Sequence, residues 1–275
     1  MQPHLSVSLI ITTYNWPEAL DVVLRSATAQ SVLPNEIVIA DDGSAEDTRT
    51  LITQWQAKTT VPIVHVWHED LGFRAAMIRN RAIAAASGEY LIFIDGDCIL
   101  EEHFIAHHRS LAHPGWFVTG NRVLLEQQFT ETVLQEPYLP VYQYDMWDWI
   151  KVFFQGGCNK LFPLLHLPLG GLRYLCPWRW KGAKTCNLAV FKKDALAVNG
   201  FEEAFVGWGY EDSDFVVRLQ RQQIYRKNGQ FYSFVIHLWH PLQSRASAEE
   251  NHQRFLKRLE DHQLKATQGV DQYLS

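Results

Sequence analysis

Residues Tyr90–Leu100 read YLIFIDGDCIL. A mostly apolar run passes directly into two carboxylates, Asp95 and Asp97, with Gly96 alone between them. A strand buried on both faces has no place for ionised groups in its interior, because an unpaired charge in an apolar layer is too costly. The carboxylates therefore sit where the strand emerges, and in open α/β sheets the carboxyl end of a strand is where ligands bind. Two acidic oxygen ligands one residue apart suit a hard divalent cation that itself carries phosphate. The same letters also describe a strand followed by a polar Asp-Gly turn, so the flanking sequence has to arbitrate.

Upstream, Val7–Ile11 reads as a buried strand that ends in Thr12-Thr13-Tyr14-Asn15. Glu18–Gln30 reads as a helix with Leu20, Val23, Leu24 and Ala27 on one face, and Pro34-Asn35 as a turn. Glu36–Ala40 is a second strand, running into Asp41-Asp42-Gly43-Ser44, where Ser44 or Asp47 can cap a helix carrying Leu51, Ile52 and Trp55. Pro62–Trp67 is a third strand and Phe73–Ala86 an alanine-rich helix closed by Ser87-Gly88. Strands alternating with helices at this spacing predict an α/β fold, a Rossmann-like, mainly parallel sheet flanked by helices. Three polar clusters, Thr13-Tyr14-Asn15, Asp41-Asp42 and Asp95-Asp97, then fall at carboxyl ends of strands and can line one crevice, a nucleotide pocket with a metal at one end. Asp42 can accept from a nucleobase N–H or a ribose hydroxyl, or can serve as a turn or helix cap. Arg74, Arg79 and Arg81 lie on or near the helix after the third strand, where a basic residue meets a diphosphate or faces solvent; Arg74 and Arg81 are assigned to the donor.

The chain has 275 residues, 47% hydrophobic and 20% charged, which is enough for one large α/β domain with a real core. A net charge of −5 argues against nucleic acid as a partner. Cys98, Cys158, Cys176 and Cys186 show no C-x-x-C spacing and are expected to be free thiols in a reducing compartment. The start, MQPHLSVSLIITT, has no basic leader. The longest apolar run, Leu161–Cys176, is broken by prolines, glycines, His166 and Arg173, so no transmembrane helix is expected.

The stretches SLIITTYNWPEAL, EIVIADDGS and GFRAAMIRNRAIAAASGEYLIFIDGDCIL together span Val7 to Leu100 and resemble the GT-A glycosyltransferases, family 2 in particular. The resemblance implies a nucleotide-diphospho-sugar transferase fold. Thr13, Tyr14 and Asn15 would lie by the nucleotide, with Tyr14 at the base and Asp42 on a uracil-type base or ribose. Asp95 and Asp97 would hold Mn2+ or Mg2+ on the diphosphate. A second block, Thr185–Phe191, Asn199-Gly200-Phe201 and Gly207-Trp208-Gly209-Tyr210-Glu211-Asp212-Ser213-Asp214, resembles the C-terminal signature of galactosyltransferase-like members. Glycines flanking Trp208 give backbone freedom around a flat ring that suits a sugar face. Glu211 and Asp212 follow directly, and transfer with inversion needs a carboxylate that takes the proton from an acceptor hydroxyl. In relatives the second acid has that role, which assigns catalysis to Asp212 and sugar orientation to Glu211. Acids also favour a helix start for its dipole alone. Relatives place one or two histidines at the metal, in some as His-x-His; this chain has His237-x-x-His240, and either can ligate.

Residues 149–193 hold eight Lys and Arg and no Asp or Glu, interleaved with aromatics such as Trp149, Phe154, Phe162, Trp178 and Trp180. That pattern suits the edge of an anionic membrane, or else an apolar core segment with basic residues balancing a diphosphate crevice. His103, His107 and His108 follow the acidic pair on a helix and carry no signal of their own. Residues 246–265 read as a charged helix that offers Phe255, Leu256 and Leu259 as a brace or an oligomer contact.

These readings predict a single domain: residues 1–125 as the nucleotide-sugar half, 126–184 as an aromatic and basic insertion, 185–243 as the acceptor and catalytic half, and 244–275 as a helical tail. The expected protein is an inverting, metal-dependent glycosyltransferase. It would move a hexose or N-acetylhexosamine from a UDP-sugar to a glycan or lipid-linked acceptor in polysaccharide or lipopolysaccharide synthesis. It would work in the cytoplasm, peripheral at the inner face of the membrane. A nucleotidyltransferase shares the carboxylate logic but calls for a glycine-rich basic loop after the first strand, where this chain has Thr12-Thr13-Tyr14-Asn15. A non-catalytic nucleotide-sugar-binding subunit is the alternative outside enzymes.

Overall fold

The computed structural model describes residues 5–136, 138–241 and 245–274. The first half alternates as expected: β1 (Val7–Thr13), α1 (Pro17–Thr28), β2 (Glu36–Asp41), α2 (Glu46–Lys58), β3 (Ile63–Trp67), α3 (Ala75–Ala85), β4 (Tyr90–Asp95) and a short β5 (Cys98–Leu100). The second half continues with α4 (Phe104–Leu111), β6 (Trp116–Thr119), β7 (Asn121–Leu124), α5 (Gln127–Gln135), α6 (Met146–Phe154), β8 (Leu188–Phe191), α7 (Lys192–Ala197), α8 (Glu211–Arg221), β9 (Tyr225–Asn228), β10 (Phe234–His237) and α9 (Ala248–Glu260).

Seven strands form the main sheet in the order β3-β2-β1-β4-β8-β6-β9. The stretch from β3 to β4 is all parallel, and β8 alone runs antiparallel to its neighbours β4 and β6. Both faces are covered, which is why these strands read as unbroken apolar runs rather than alternating ones. Successive residues serve opposite faces. Leu9, Ile11, Ile92 and Ile94 pack with Leu20, Val23 and Leu24 of α1 and Ile52 and Trp55 of α2. Ile10, Leu91 and Phe93 pack with Ala76 and Ile83 of α3 and Phe215 and Leu219 of α8. α1 starts at Pro17, where a missing N–H is harmless. It ends before Gln30, whose amide instead bonds the carbonyls of Ser26 and Glu101.

A smaller sheet, β5-β10-β7, lies beside the end of β4. β10 runs antiparallel to β5 with His237 opposite Cys98, and this register carries the chain's C-terminal histidines to the acidic turn.

The 149–193 region divides between core and surface. Trp149, Val152, Leu164 and Arg173 are buried, whereas Phe154, Phe162, Leu175 and Trp178, with Trp147 just before the region, are exposed. The Arg173 guanidinium donates to the carbonyls of Leu167, Asn228 and Gln230, which pins this stretch to the end of β9. Among the described residues no helix is long and apolar enough to cross a membrane. All four cysteines are free.

Candidate active site

The turn after β4 brings Asp97 to both C-terminal histidines. His240 Nε2 lies 3.3 Å and His237 Nε2 3.6 Å from Asp97 Oδ2. Each ring is oriented from behind: Nδ1–H of His237 donates to the Leu238 carbonyl and Nδ1–H of His240 to the Pro241 carbonyl, both at 2.7 Å. A carbonyl only accepts, so in the neutral rings both Nε2 lone pairs point at a carboxylate oxygen. Three electron-rich atoms converging in this way fit a shared cation, with second ring nitrogens held by main chain as is usual for metal-ligating histidine. One oxygen and two imidazole nitrogens suit a divalent metal ion. Asp95, on the other side of Gly96, is pushed up by burial, and the charge of Asp97 adds to that.

Asp95 is tied across the crevice by Arg79 of α3. The buried guanidinium reaches Asp95 Oδ1 at 3.3 Å and Glu211 Oε1 at 3.1 Å, and its Nε meets Thr12 Oγ1 at 3.3 Å. One side chain thus joins the end of β1, the end of β4 and the first turn of α8. Asp212 lies beside Glu211 in that turn. Burial, with the neighbouring Glu211 charge, raises its carboxyl to about 7 against a partial counter-effect from Arg79 and Lys184. A carboxylate held near neutrality is suited to take a proton at physiological pH.

The loop before α8 is held by α9. Gly207 has φ +76°, and a Cβ there would meet Ser247 Oγ at 2.6 Å. Asn251 donates to the carbonyls of Val206 and Trp208, and the Tyr210 ring stacks on His252 and Phe255 at 5.0 and 5.3 Å. Trp208 stays 41% exposed, with the Arg245 guanidinium over its ring. Behind this turn, Asp214 is fully buried between Arg218 and Arg258, and Arg258 also reaches Glu202.

The other lip of the crevice is built from the ends of β1 and β2. Asn15 accepts from Ala45 N–H and its own N–H donates to Ser44 Oγ, which locks the two strand exits together. Thr13 is buried against Gly96. Tyr14 is half exposed, and its hydroxyl donates to Asp70 Oδ2 at 2.9 Å. Asp42 is buried; Oδ2 accepts the Arg74 N–H that opens α3, and Oδ1 lies 3.0 Å from His68 Nε2. Burial raises its carboxyl to about 6. Gly43, at φ +96°, allows Asp70 to pass so closely that a Cβ would sit 2.6 Å from its Cα. Gly207 N–H donates to the Phe73 carbonyl, joining the loop before α3 to the loop before α8.

The structure brings Thr13, Tyr14, Asn15, Asp42, Asp95, Asp97, Trp208, Glu211, Asp212, His237 and His240 to one side of the sheet or its adjoining loops. The two assigned arginines are placed differently. The Arg74 side chain turns to the Leu71 carbonyl, and Arg81 lies over the Tyr273 ring at 5.2 Å. Arg79, between them, is the arginine that reaches the crevice. Its sequence signal is phase: it shares a helix face with Ala75, Ala76, Ala82 and Ile83, where an arginine has to be buried and paired. His68 and the Arg258 contact carry no comparable local signal.

Residues 8–164 match glycosyl transferase family 2, and the chain belongs to that family. Residues 171–240 match the N-terminal domain of galactosyltransferase. A validoxylamine A glucosyltransferase of Streptomyces hygroscopicus subsp. limoneus is 29% identical over 230 residues, covering 79% of this chain and 48% of the relative. A chondroitin synthase of Pasteurella multocida is 26% identical over 231 residues, covering 78% and 23%. The chain therefore spans about half the length of the first relative and about a quarter of the second. Among solved structures, the mannosyltransferase PcManGT from Pyrobaculum calidifontis with GDP-Man and Mn2+ aligns at TM-score 0.60 and 16% identity, over 94% of this chain and 66% of that one. S. aureus TarS with UDP aligns at TM-score 0.61 and 14% identity, over 98% and 70%. These likenesses establish the GT-A fold.

Proposed function

We propose that this chain is the catalytic domain of an inverting, metal-dependent glycosyltransferase. It moves a hexose or N-acetylhexosamine from a UDP-sugar to a hydroxyl of a glycan or lipid-linked acceptor, in the synthesis of a cell-surface polysaccharide or lipopolysaccharide. The observation that carries this reading is the convergence of two unlike groups. Asp97 with His237 and His240 forms a cation-binding set, and Asp212 forms a near-neutral carboxylate, with Arg79 spanning the ground between them. Asp97, His237 and His240, with Asp95 across Gly96, would hold a divalent ion, Mn2+ or Mg2+, which would supply positive charge to the departing nucleoside diphosphate. Asp212 takes the acceptor proton as the hydroxyl oxygen bonds to the anomeric carbon and the carbon–diphosphate bond breaks. Attack from the side opposite the leaving group inverts the centre. Glu211 and Trp208 hold sugar, and Thr13, Tyr14, Asn15 and Asp42 hold the nucleotide. Arg74 and Arg81 remain the arginines assigned to the donor from sequence, and Arg79 joins them by position. The named relatives, a glucosyltransferase and a chondroitin synthase, support glycan chemistry.

The exposed part of the insertion supports docking at the inner face of the cytoplasmic membrane, where a lipid-linked acceptor would be presented. On α6, Trp147, Lys151 and Phe154 form one outward stripe at i, i+4 and i+7, opposite buried Trp149 and Val152.

The test is nucleoside diphosphate release from a panel of nucleotide sugars, with Mn2+ and with chelator, for wild type and Asp97→Ala. Metal-dependent release from one donor, lost in the variant, is the expected result. Donor binding without release, with every acceptor class tried, would favour a non-catalytic subunit. Absence of binding to any donor would overturn the reading altogether.

A further inference from the structure

A second group of metal-ligating side chains lies at the other end of the β5–β10 ribbon. Glu101 follows β5 directly, His107 lies on α4, and His166 comes from the segment 155–184. One ligand atom from each lies within 4.8 Å of the other two. Strand register separates this group from the crevice. Leu100 pairs with Val235, so Glu101 falls beside Phe234, whereas Asp97 adjoins Cys98 opposite His237. Four residue steps of extended chain, about 13 Å, separate the two carboxylates, too far for one ion to serve both groups.

Two features favour a cation here. Glu101 is only 6% exposed, yet among the described residues no Lys or Arg pairs with it. Its side-chain partner is His107, whose Nδ1–H donates to Oε1 at 2.6 Å, while Oε2 accepts the His103 N–H. A buried carboxylate without a fixed positive partner is costly. Imidazoles also crowd it: the His107 ring centroid is 5.2 Å from that of His166 and 5.9 Å from that of His103. A shared divalent ion removes that penalty, and Tyr232, 4.3 Å from the His107 ring, shields one flank.

We propose that Glu101, His107 and His166 form a divalent-metal site of the zinc class that clips the 155–184 segment onto α4. Two imidazoles and one carboxylate, with a fourth position for water, are a recurrent zinc donor set. Ligand bonds of about 2 Å require the donors to draw somewhat closer than they stand, and exposed His166 supplies that movement. The site was invisible in the sequence because His107 and His166 are brought together only by the return of the insertion to β10.

The experiment uses the full chain carrying Asp97→Ala and His240→Ala, which removes two of the three crevice donors. Zinc bound per chain is measured by equilibrium dialysis with elemental analysis, before and after adding His166→Ala. The expected result is one zinc per parent chain and affinity weaker by about tenfold or more without His166. Zinc should also slow proteolysis within 155–184 in the parent and not in the His166→Ala chain. His166 is exposed, so both chains should melt alike without zinc. Zinc uptake unchanged by His166→Ala, or no uptake by the parent, would overturn the proposal.

Discussion

Asp212 links stability and activity through one proton. Its carboxyl stands at about 7 in the folded chain against a usual 3.8, chiefly because burial disfavours the charge. The folded state therefore binds this proton more tightly than the unfolded state. The associated stability is complete below pH 4 and is lost as pH rises toward 7. Asp212→Asn abolishes that loss. The variant should match wild type in urea melts near pH 4 and exceed it by about 1–3 kcal/mol at pH 8. The base works only when ionised, so wild-type kcat/KM should rise with pH and level off above about 7. The variant should be slower by about 100-fold or more. Equal stability at pH 8, or full activity, would remove Asp212 from the role of base. At this scale the sequence was informative where residue type and chain position coincide, as at Asp95, Asp97, Glu211 and Asp212. Arg79 and Arg81 look alike by type, but a helix turns them about 200° apart. Only the phase of the alanines shows which one faces the crevice. For His237 and His240 the spacing left either free to ligate; a turn directly after β10 lets both reach Asp97.

α9 and α6 show what periodicity can and cannot supply. A charged tail helix was expected to dock through Phe255, Leu256 and Leu259, yet Phe255 alone is buried and both leucines are 39% exposed. The remaining hold is polar: Arg258 enters the core to meet Asp214 and Glu202, a contact no hydrophobic pattern announces. Phe255 packs against Trp180 and Tyr210, so it supports the turn that carries Glu211 and Asp212. Phe255→Ala should cost about 3–5 kcal/mol in denaturant melts and lower kcat more than it weakens UDP binding. Loss of stability with kcat intact would make α9 a brace for the fold alone. For α6 the sequence left core and membrane edge both open; Trp149 and Val152 are buried on one face, and exposed Trp147 and Phe154 on the other are the face proposed for the membrane. Co-sedimentation with vesicles rich in anionic lipid should retain wild type at low salt and release it at high salt. Trp147→Ala with Phe154→Ala should weaken retention several-fold without changing the melting temperature, since both side chains are exposed. No retention at low salt would remove the membrane from the proposal.

Over the whole molecule, the two halves share the main sheet through β4 and β8 and the small sheet through β5 and β10, and beside the crevice Arg79 and the Phe73–Gly207 backbone bond join them directly. The alternation of strands and helices before Leu100 could be read locally, because each element declares itself within its own period. The closure of the second half over the first could not, because it depends on β10 returning beside β5 from the far end of the chain. A ligand that touches both halves should therefore stabilise the molecule as one unit. Mn2+ with UDP, each at about 100 times its Kd, should add about 2.7 kcal/mol or more. For a chain of this size that raises Tm by about 5–10 °C. Asp97→Ala should lose this rise, since the nucleotide diphosphate then has no ion to meet. Asp212→Asn should keep it, because the base is assigned to the acceptor and not to the donor. If both variants lose the rise, Asp212 belongs to the donor site and the division of labour proposed across Arg79 fails. If neither loses it, UDP binds without the ion, and the convergence of Asp97 with His237 and His240 has another purpose.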